Sequence, residues 1–436
     1  MYHNNKLESL YDLVTGDEDA RVCKDIPEEA CNDQPRNFFA YLAANLLSKI
    51  ADEIASAKLV LPWLLAGLGA PAVFTGFLVP VREAGVLLPQ LAVAAAVRRL
   101  ALRKWVWVAG ALLSALALAG IAAAGFTLTG VAAGWAVLGA VVVFSLARGL
   151  CSVSAKDVLG KTVSKSRRGR LMGIASGLAG VATLAVGVVL GLQGDGSAGT
   201  MVVSALILTA ALLWLPAVAA FAVIREQPGA TEGGGNALST ALASLGVLRT
   251  DPHFRRFVIA RALLLGVALA PPFYVLLAQR MGNGLGDLGL LVIGGGIAGA
   301  VSSPFWGRLG DDSSRRVMVL ASGLAGLLGV GYWALTAADA AVLDHGLTHA
   351  AAFLLLIVAH SGVRLGRKVY LVDMADQDNR ATLVAVSNTV IGVAMLAGGL
   401  IGLLADFIGP ADVILVLALV SLAAAAYAGR LPDVSA

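Results

Sequence analysis

The chain has 436 residues, 58% of them hydrophobic and only 14% charged, where soluble domains run nearer a quarter charged. That balance excludes an ordinary soluble protein. The formal net charge of +4 acquires meaning only once it is placed on loops. Three cysteines, Cys23, Cys31 and Cys151, form no even framework, which argues against a disulfide scaffold.

Residues 1–37 are polar and lean acidic, with no basic segment leading into an apolar one, so they read as a tail and not a cleaved signal. A membrane helix needs about 20 mostly apolar residues, and such runs then recur almost to the end. In chain order they predict spans at 38–68, 72–97, 105–124, 131–160, 171–192, 200–223, 257–277, 288–305, 317–335, 350–373, 381–407 and 413–428. The runs are continuous and do not alternate, which excludes a β-barrel.

Lys and Arg distribute steeply between the two sets of loops. One set carries "VRRLALRKW", "KTVSKSRRGR", "HFRRF", "WGRLGDDSSRR" and "DQDNR". The other carries Arg280 as its only Lys or Arg. Positive charge stays inside, so both termini are expected in the cytoplasm. The segment 224–256, with "REQPGATEGGGN", reads as a flexible cytoplasmic linker, and "ALSTALASLGVL" as a helix lying on the membrane surface. The expected organisation is a tail (1–37), a six-helix bundle (38–223), the linker (224–256), a second six-helix bundle (257–428) and a tail (429–436).

An internal repeat supports that division. Shifted by 212 residues (360 minus 148), Arg148 meets His360, Lys156 meets Lys368 and Arg168 meets Arg380. The same register pairs Arg103 and Lys104 with Arg315 and Arg316, Lys49 with Arg261, and Gly180 with Gly392. Composition explains apolar coincidences; it does not explain charged ones in four segments at one register.

The segment "GRLGDDSSRR", Gly307 to Arg316, resembles the signature loop of the major facilitator superfamily of secondary transporters, as do the twelve spans in two repeated halves. The resemblance implies an all-α integral membrane fold of two pseudo-symmetric six-helix bundles. It also implies a cytoplasmic charge gate at Gly307, Asp311, Arg315 and Arg316. The first-half counterpart keeps Arg103 and Lys104 but has Ala95 and Arg99 in place of the expected Gly and Asp. "LARGLCSVSA" resembles the superfamily's embedded arginine motif through Arg148. The fifth span lacks the Gly-Pro signature of drug/proton antiporters. Helices 1, 4, 7 and 10 line the central cavity in this superfamily.

Ionisable side chains within a membrane are costly and by default mark pathways or pairs. On the first span Asn45, Lys49, Asp52, Glu53 and Ser56 recur at helical spacing and share a face. Asp52 or Glu53 reads as a proton site, with an interhelical salt bridge as the rival reading; Lys49 and Glu53 are spaced to pair. Arg82 and Glu83 are adjacent and about 100° apart on a helix, so each needs a partner elsewhere, and Glu83 joins the proton-coupling candidates. Lys49, Arg148, Arg261, His360 and Arg364 are the substrate-binding candidates; packing against neighbouring helices is the plainer alternative for each. The cationic surplus favours an anionic or zwitterionic solute.

"GGGIAG", Gly294 to Gly299, lies inside an apolar run, so helix packing replaces a dinucleotide reading. His345 and His349 lack a third clear ligand, and no metal or cofactor is expected. The expected protein is a secondary transporter in the bacterial cytoplasmic (inner) membrane, a monomer whose partners are a small-molecule substrate, protons and the lipid bilayer, with no nucleic acid. It is not expected to be an enzyme. A non-transporting sensor or assembly factor of the same fold, or a drug/proton efflux pump, is the alternative.

Overall fold

The computed structural model describes residues 28–89, 99–192, 199–229, 231, 244–282, 284–376 and 379–434, with scattered residues between 8 and 26 and between 93 and 97. The expected surface helix "ALSTALASLGVL" falls mostly outside the described residues, as do Cys23 and Ala95. No strand occurs among the described residues.

The long helices are α1 Gln34–Ile54, α2 Val60–Gly67, α3 Ala72–Leu87, α4 Lys104–Thr127, α5 Gly130–Thr162, α6 Lys165–Gly191 and α7 Gly199–Ala222 in the first half. The second half holds α8 Pro252–Leu263, α9 Leu265–Leu269, α10 Pro271–Met281, α11 Leu285–Asp312, α12 Ser314–Ala337, α13 Gly346–Met374, α14 Arg380–Gly398, α15 Ile401–Ile408 and α16 Pro410–Ala428. Among the described residues ten helices are long and apolar enough to cross a membrane, counting α8–α10 as one and α14–α15 as one. The sequence predicts two more, and both have a local reason to fall short. The first span is interrupted between α1 and α2, and α3 has only 16 described residues.

The interruption occupies Ala55–Leu59. Leu59 leaves helical geometry at φ −135°, and the amides of Leu59 and Leu61 both turn back to the Ser56 carbonyl. Elsewhere helix starts are built from local chemistry. Asp251 accepts from the Phe254 amide at 3.0 Å ahead of Pro252, and Ser313 accepts from the Arg316 amide at 3.3 Å, the expected roles of N-cap residues. Gly409 takes φ +90° between α15 and α16, a conformation that strains any residue with a Cβ.

Inside a bilayer hydroxyls need internal acceptors. Ser114, Ser154, Ser322 and Ser421 donate to the carbonyls of Gly110, Leu150, Met318 and Leu417, one turn back. Large apolar side chains stand on the outer surface instead, among them Leu116, Leu192, Leu327 and Phe407, as lipid-facing helices require.

Packing repeats between the halves. Helix α4 lies against α5 and α7, as α12 lies against α13 and α16. The main seams between the halves among the described residues are α3 against α14 and α15, and α6 against α11, with a smaller contact of α2 on α10. The two main seams depend on glycine. A Cβ on Gly76 would meet the backbone of Gly402 at 2.5 Å, and one on Gly187 would meet the Gly289 carbonyl at 3.1 Å. Within "GGGIAG", Gly294 faces the Ala350 carbonyl and Gly296 faces Leu184, so the run serves close helix approach.

Candidate functional site

Asp52 on α1 is held between two arginines from different helices. One carboxylate oxygen is 2.6 Å from Arg148 Nη2 on α5, and the other is 3.5 Å from Arg82 Nη2 on α3. Each guanidinium also stacks on a ring, Arg148 over Trp214 at 4.9 Å and Arg82 over Phe144 at 4.8 Å, an arrangement arginine suits better than lysine. Ser145 donates to the Arg82 carbonyl at 2.7 Å and pins α3 to α5. The three charged side chains stay about one-fifth exposed.

That exposure opens on a cavity of about 230 Å³ lined by Arg82, Glu83, Val86, Leu87, Arg148 and Ser152. Arg82 and Arg148 stand there with two acids, the clamped Asp52 and Glu83, so the wall offers charges of both signs. Arg148 Nε is buried without a hydrogen-bond partner, so the guanidinium retains donor capacity.

Glu83 turns away from Arg82, as adjacent helical positions must, and lies 3.9 Å from Lys58. Lys58 sits in the break between α1 and α2, and its Nζ is 2.9 Å from His360 Nε2 on α13. This contact crosses from one half to the other. Glu53 is exposed and lies within electrostatic range of Lys49, Lys58 and Arg364. The expected Lys49–Glu53 pair gives way to a different contact, because Lys49 reaches across to α6 and donates to Ser176 Oγ at 2.5 Å.

Arg261 on α8 is 7% exposed and donates to Ser387 Oγ at 2.6 Å and Asn388 Oδ1 at 2.9 Å on α14. Its partners are neutral, and Arg367 lies within electrostatic range of it. Arg364 faces the same group as Glu53, Lys58 and Glu83. The structure thus gathers Arg148 and Glu83 at one cavity, with Asp52 held by the lining arginines, and joins His360 and Arg364 to it through Lys58. Arg261 stands with Ser387 and Asn388, and Lys49 with Ser176.

At the end that bears both termini, the gate residues find an acid other than the expected one. Arg315 pairs with Asp433 at 3.1 Å and donates to the Leu431 carbonyl. Asp311 is exposed, and Gly307 faces open space. The first half has its own charge cluster despite Arg99. Arg103 pairs with Asp157, and Lys161 bridges Asp157 at 2.8 Å and Glu226 at 3.0 Å. Glu226, with no exposed side-chain surface, also accepts from the backbone amides of Arg103 and Lys104.

Sequence reasoning missed Lys58, Asp157, Glu226, Asp406 and Asp433 as partners. Lys58 carried a signal, a lone lysine in "SAKLVLPW"; Asp157 and Asp406 fall near the ends of predicted spans, and Glu226 and Asp433 in the linker and tail. Cys31 is disulfide-bonded, against the reading of the odd cysteine count, and Cys151 is free and buried. His349 is taken up by Tyr332 and the Leu343 carbonyl. No group of three or more His, Cys, Asp or Glu able to hold a metal occurs among the described residues.

Residues 262–434 match the sequence model of the Major Facilitator Superfamily. No curated protein matches the chain significantly in sequence. Solved structures do match in fold. A point mutant of the nucleoside transporter NupG superposes with a TM-score of 0.67 at 14% identity, over 89% of this chain and 98% of that one. A D-xylose–proton symporter gives 0.65 at 15%, over 91% and 97%. A POT family transporter in complex with 5-aminolevulinic acid gives 0.68 at 11%, over 93% and 98%. Over residues 262–434 the chain resembles the Major Facilitator Superfamily in sequence, and across about nine-tenths of its length it shares the fold of these transporters.

Proposed function

We propose that the protein is a proton-coupled secondary transporter for a small anionic or zwitterionic solute, working by alternating access in a bacterial cytoplasmic membrane with both termini inside. The observation that carries this reading is the clamp of Asp52 between Arg82 and Arg148 at the wall of the cavity. An anionic group entering the cavity competes with Asp52 for Arg148, because both offer oxygens to the same guanidinium. A proton on Asp52 removes its charge and releases the arginines to the solute. Solute and proton therefore bind together, and Glu53 and Glu83 supply further proton sites beside the same cavity.

Two similar structures lend support. One is a D-xylose–proton symporter, and another holds 5-aminolevulinic acid, a molecule with both an amine and a carboxylate.

The test is reconstitution in proteoliposomes loaded with a pH-sensitive dye, screened over monocarboxylates, dicarboxylates, phosphate monoesters and amino acids. An acid or zwitterion that drives proton movement supports the reading. If none does so, or if Asp52→Asn leaves solute-driven proton flux unchanged, the mechanism is wrong.

A further inference from the structure

Charges of both signs stand at the cavity wall in the first half, but the second half brings arginines to it without acids. On α13, His360, Arg364 and Arg367 recur at steps of four and three and share one helix face. Arg364 is exposed and Arg367 half-buried. Neither makes a hydrogen bond or an ion pair among the described residues. Arg261 on α8 is buried, with Arg367 as its charged neighbour and the neutral Ser387 and Asn388 as its partners. Its Nε is buried without a hydrogen-bond partner.

The acids that act on this face are Glu53 and Glu83, both from the first half. Glu83 is shared four ways, among Lys58, Arg82, Arg364 and Arg367, and it also lines the cavity with Arg82 and Arg148. It therefore stands between the arginines of one half and those of the other. Lys58 is the cation within ion-pair distance of it, at 3.9 Å, which leaves Arg364 and Arg367 with no carboxylate in contact. Arginines inside a bilayer offset their cost by pairing, as Arg82 and Arg148 do on Asp52. Arg364 and Arg367 have no such acid. Like charges gathered this way repel, and an anion placed between two guanidinium forks relieves the repulsion and meets donors on both.

We propose that the solute carries two separated anionic groups, of which a dicarboxylate is the simplest case, and that Arg364 and Arg367 seat the second group while Arg148 seats the first. Arg261, fixed to α14 by its two hydrogen bonds, acts on the second seat through Arg367 as a standing positive charge. A solute of this kind touches both halves at once, so the pair of seats recognises it and neither seat does so alone. A monocarboxylate fills one seat and leaves the cations of the other without a counter-charge. The inference names the substrate class of the transporter proposed above and rests on that reading for the seat at Arg148.

The test is isothermal titration of the full chain in phosphatidylcholine nanodiscs at about pH 7, where carboxylates are ionised. The probes are malonate, succinate, glutarate and adipate, each set against the monocarboxylate of equal length: propionate, butyrate, valerate and hexanoate. At least one dicarboxylate is expected to bind about tenfold or more tighter than its partner. Arg364→Gln and Arg367→Gln are each expected to cut that ratio several-fold, and the double variant to bring it near unity. Arg308→Gln, which removes an exposed cation outside the cluster, is expected to keep it. Because the ratio compares two ligands on one sample, a partly unfolded variant does not mimic its loss. A wild type that binds no dicarboxylate more tightly than its partner overturns the inference. So does a ratio that survives in the double variant or falls as far in Arg308→Gln. Binding of inorganic phosphate or of added phosphatidylglycerol in place of every dicarboxylate would give the arginines to a lone anion or a lipid headgroup and overturn it too. Proton flux driven by monocarboxylates alone would sink this inference and keep the transport reading; a dicarboxylate preference in a protein that moves no proton would do the reverse.

Discussion

Asp406 caps a helix that begins 334 positions earlier in the chain. One carboxylate oxygen lies 2.6 Å from the Ala72 amide nitrogen and the other 3.0 Å from that of Val73. These are the first orphan amides of α3, where a negative charge is also favoured by the helix dipole. The cap crosses from the second half to the first at the end opposite the termini. Gln279 makes a similar crossing there, donating to the Trp63 carbonyl at 3.1 Å.

Asp406→Ala should open this end. Hydrogen bonds to a charged group contribute about 1.5–3 kcal/mol each, and about 1.4 kcal/mol corresponds to a factor of ten. Amides at 72–76 are therefore expected to exchange with deuterium at least about tenfold faster than in the wild type, as read by mass spectrometry in nanodiscs. Unchanged exchange would show that the cap does not hold the seam.

Asp52→Asn should separate proton coupling from solute movement. Accumulation driven by a pH gradient is expected to fall to background, while exchange of labelled for unlabelled solute persists because Arg82 and Arg148 remain. Arg148→Ala should lose both, since it removes the closest donor and leaves Asp52 with Arg82 at 3.5 Å. Loss of exchange in Asp52→Asn would make the acid part of the solute's own seat.

Charge clusters at the termini-bearing end should differ in their contribution to stability. Glu226 has no exposed side-chain surface and serves two backbone amides and Lys161. Arg315 and Asp433 are about one-third exposed, where ion pairs contribute little. Glu226→Ala leaves two backbone amides without an acceptor and Lys161 with Asp157 alone, a loss of about 3 kcal/mol; Asp433→Ala should cost about 1 kcal/mol. Thermal unfolding in one detergent should rank them in that order.

Gly402→Ala should impair transport with the fold retained. A Cβ there would meet the Ala72 carbonyl at 2.7 Å and Gly76 Cα at 2.8 Å, so α3 and α15 must part. Gly180→Ala, where a Cβ meets nothing, is the control and should match the wild type. Equal activity in both variants would mean that the α3–α15 seam need not close this tightly.

The sequence made the helices legible because lipid imposes one rule on every residue of a span, and the rule leaves a long apolar run. It made the loss of the expected Gly and Asp at positions 95 and 99 legible too. It did not show that Asp157 and Glu226 gather around Arg103 and Lys104 instead, because those partners come from different helices and no local spacing links them. Asp52 was recognisable as an expensive acid, but its two arginines lie 30 and 96 positions away (82 minus 52, 148 minus 52). The break at Ala55–Leu59 leaves one trace, Pro62, which has no amide proton for the Lys58 carbonyl four residues back. Asp406, at the end of the predicted span 381–407, has no partner legible in the sequence until the fold brings Ala72 beneath it.

The interrupted first span acts as a linkage as well as a break. Helix α2 is eight residues long, with Lys58 just before its lower end and Trp63, whose carbonyl receives Gln279, in its first turn. Lys58 lies in the break itself and Trp63 in the first turn of α2, so the contacts to His360 and from Gln279 flank the joint at which α2 begins. A rod running unbroken through the bilayer would have transmitted any tilt to its whole length. Here the joint at Ala55–Leu59 confines it, so α2 and its contact with Gln279 can tilt while Asp52 stays between its arginines.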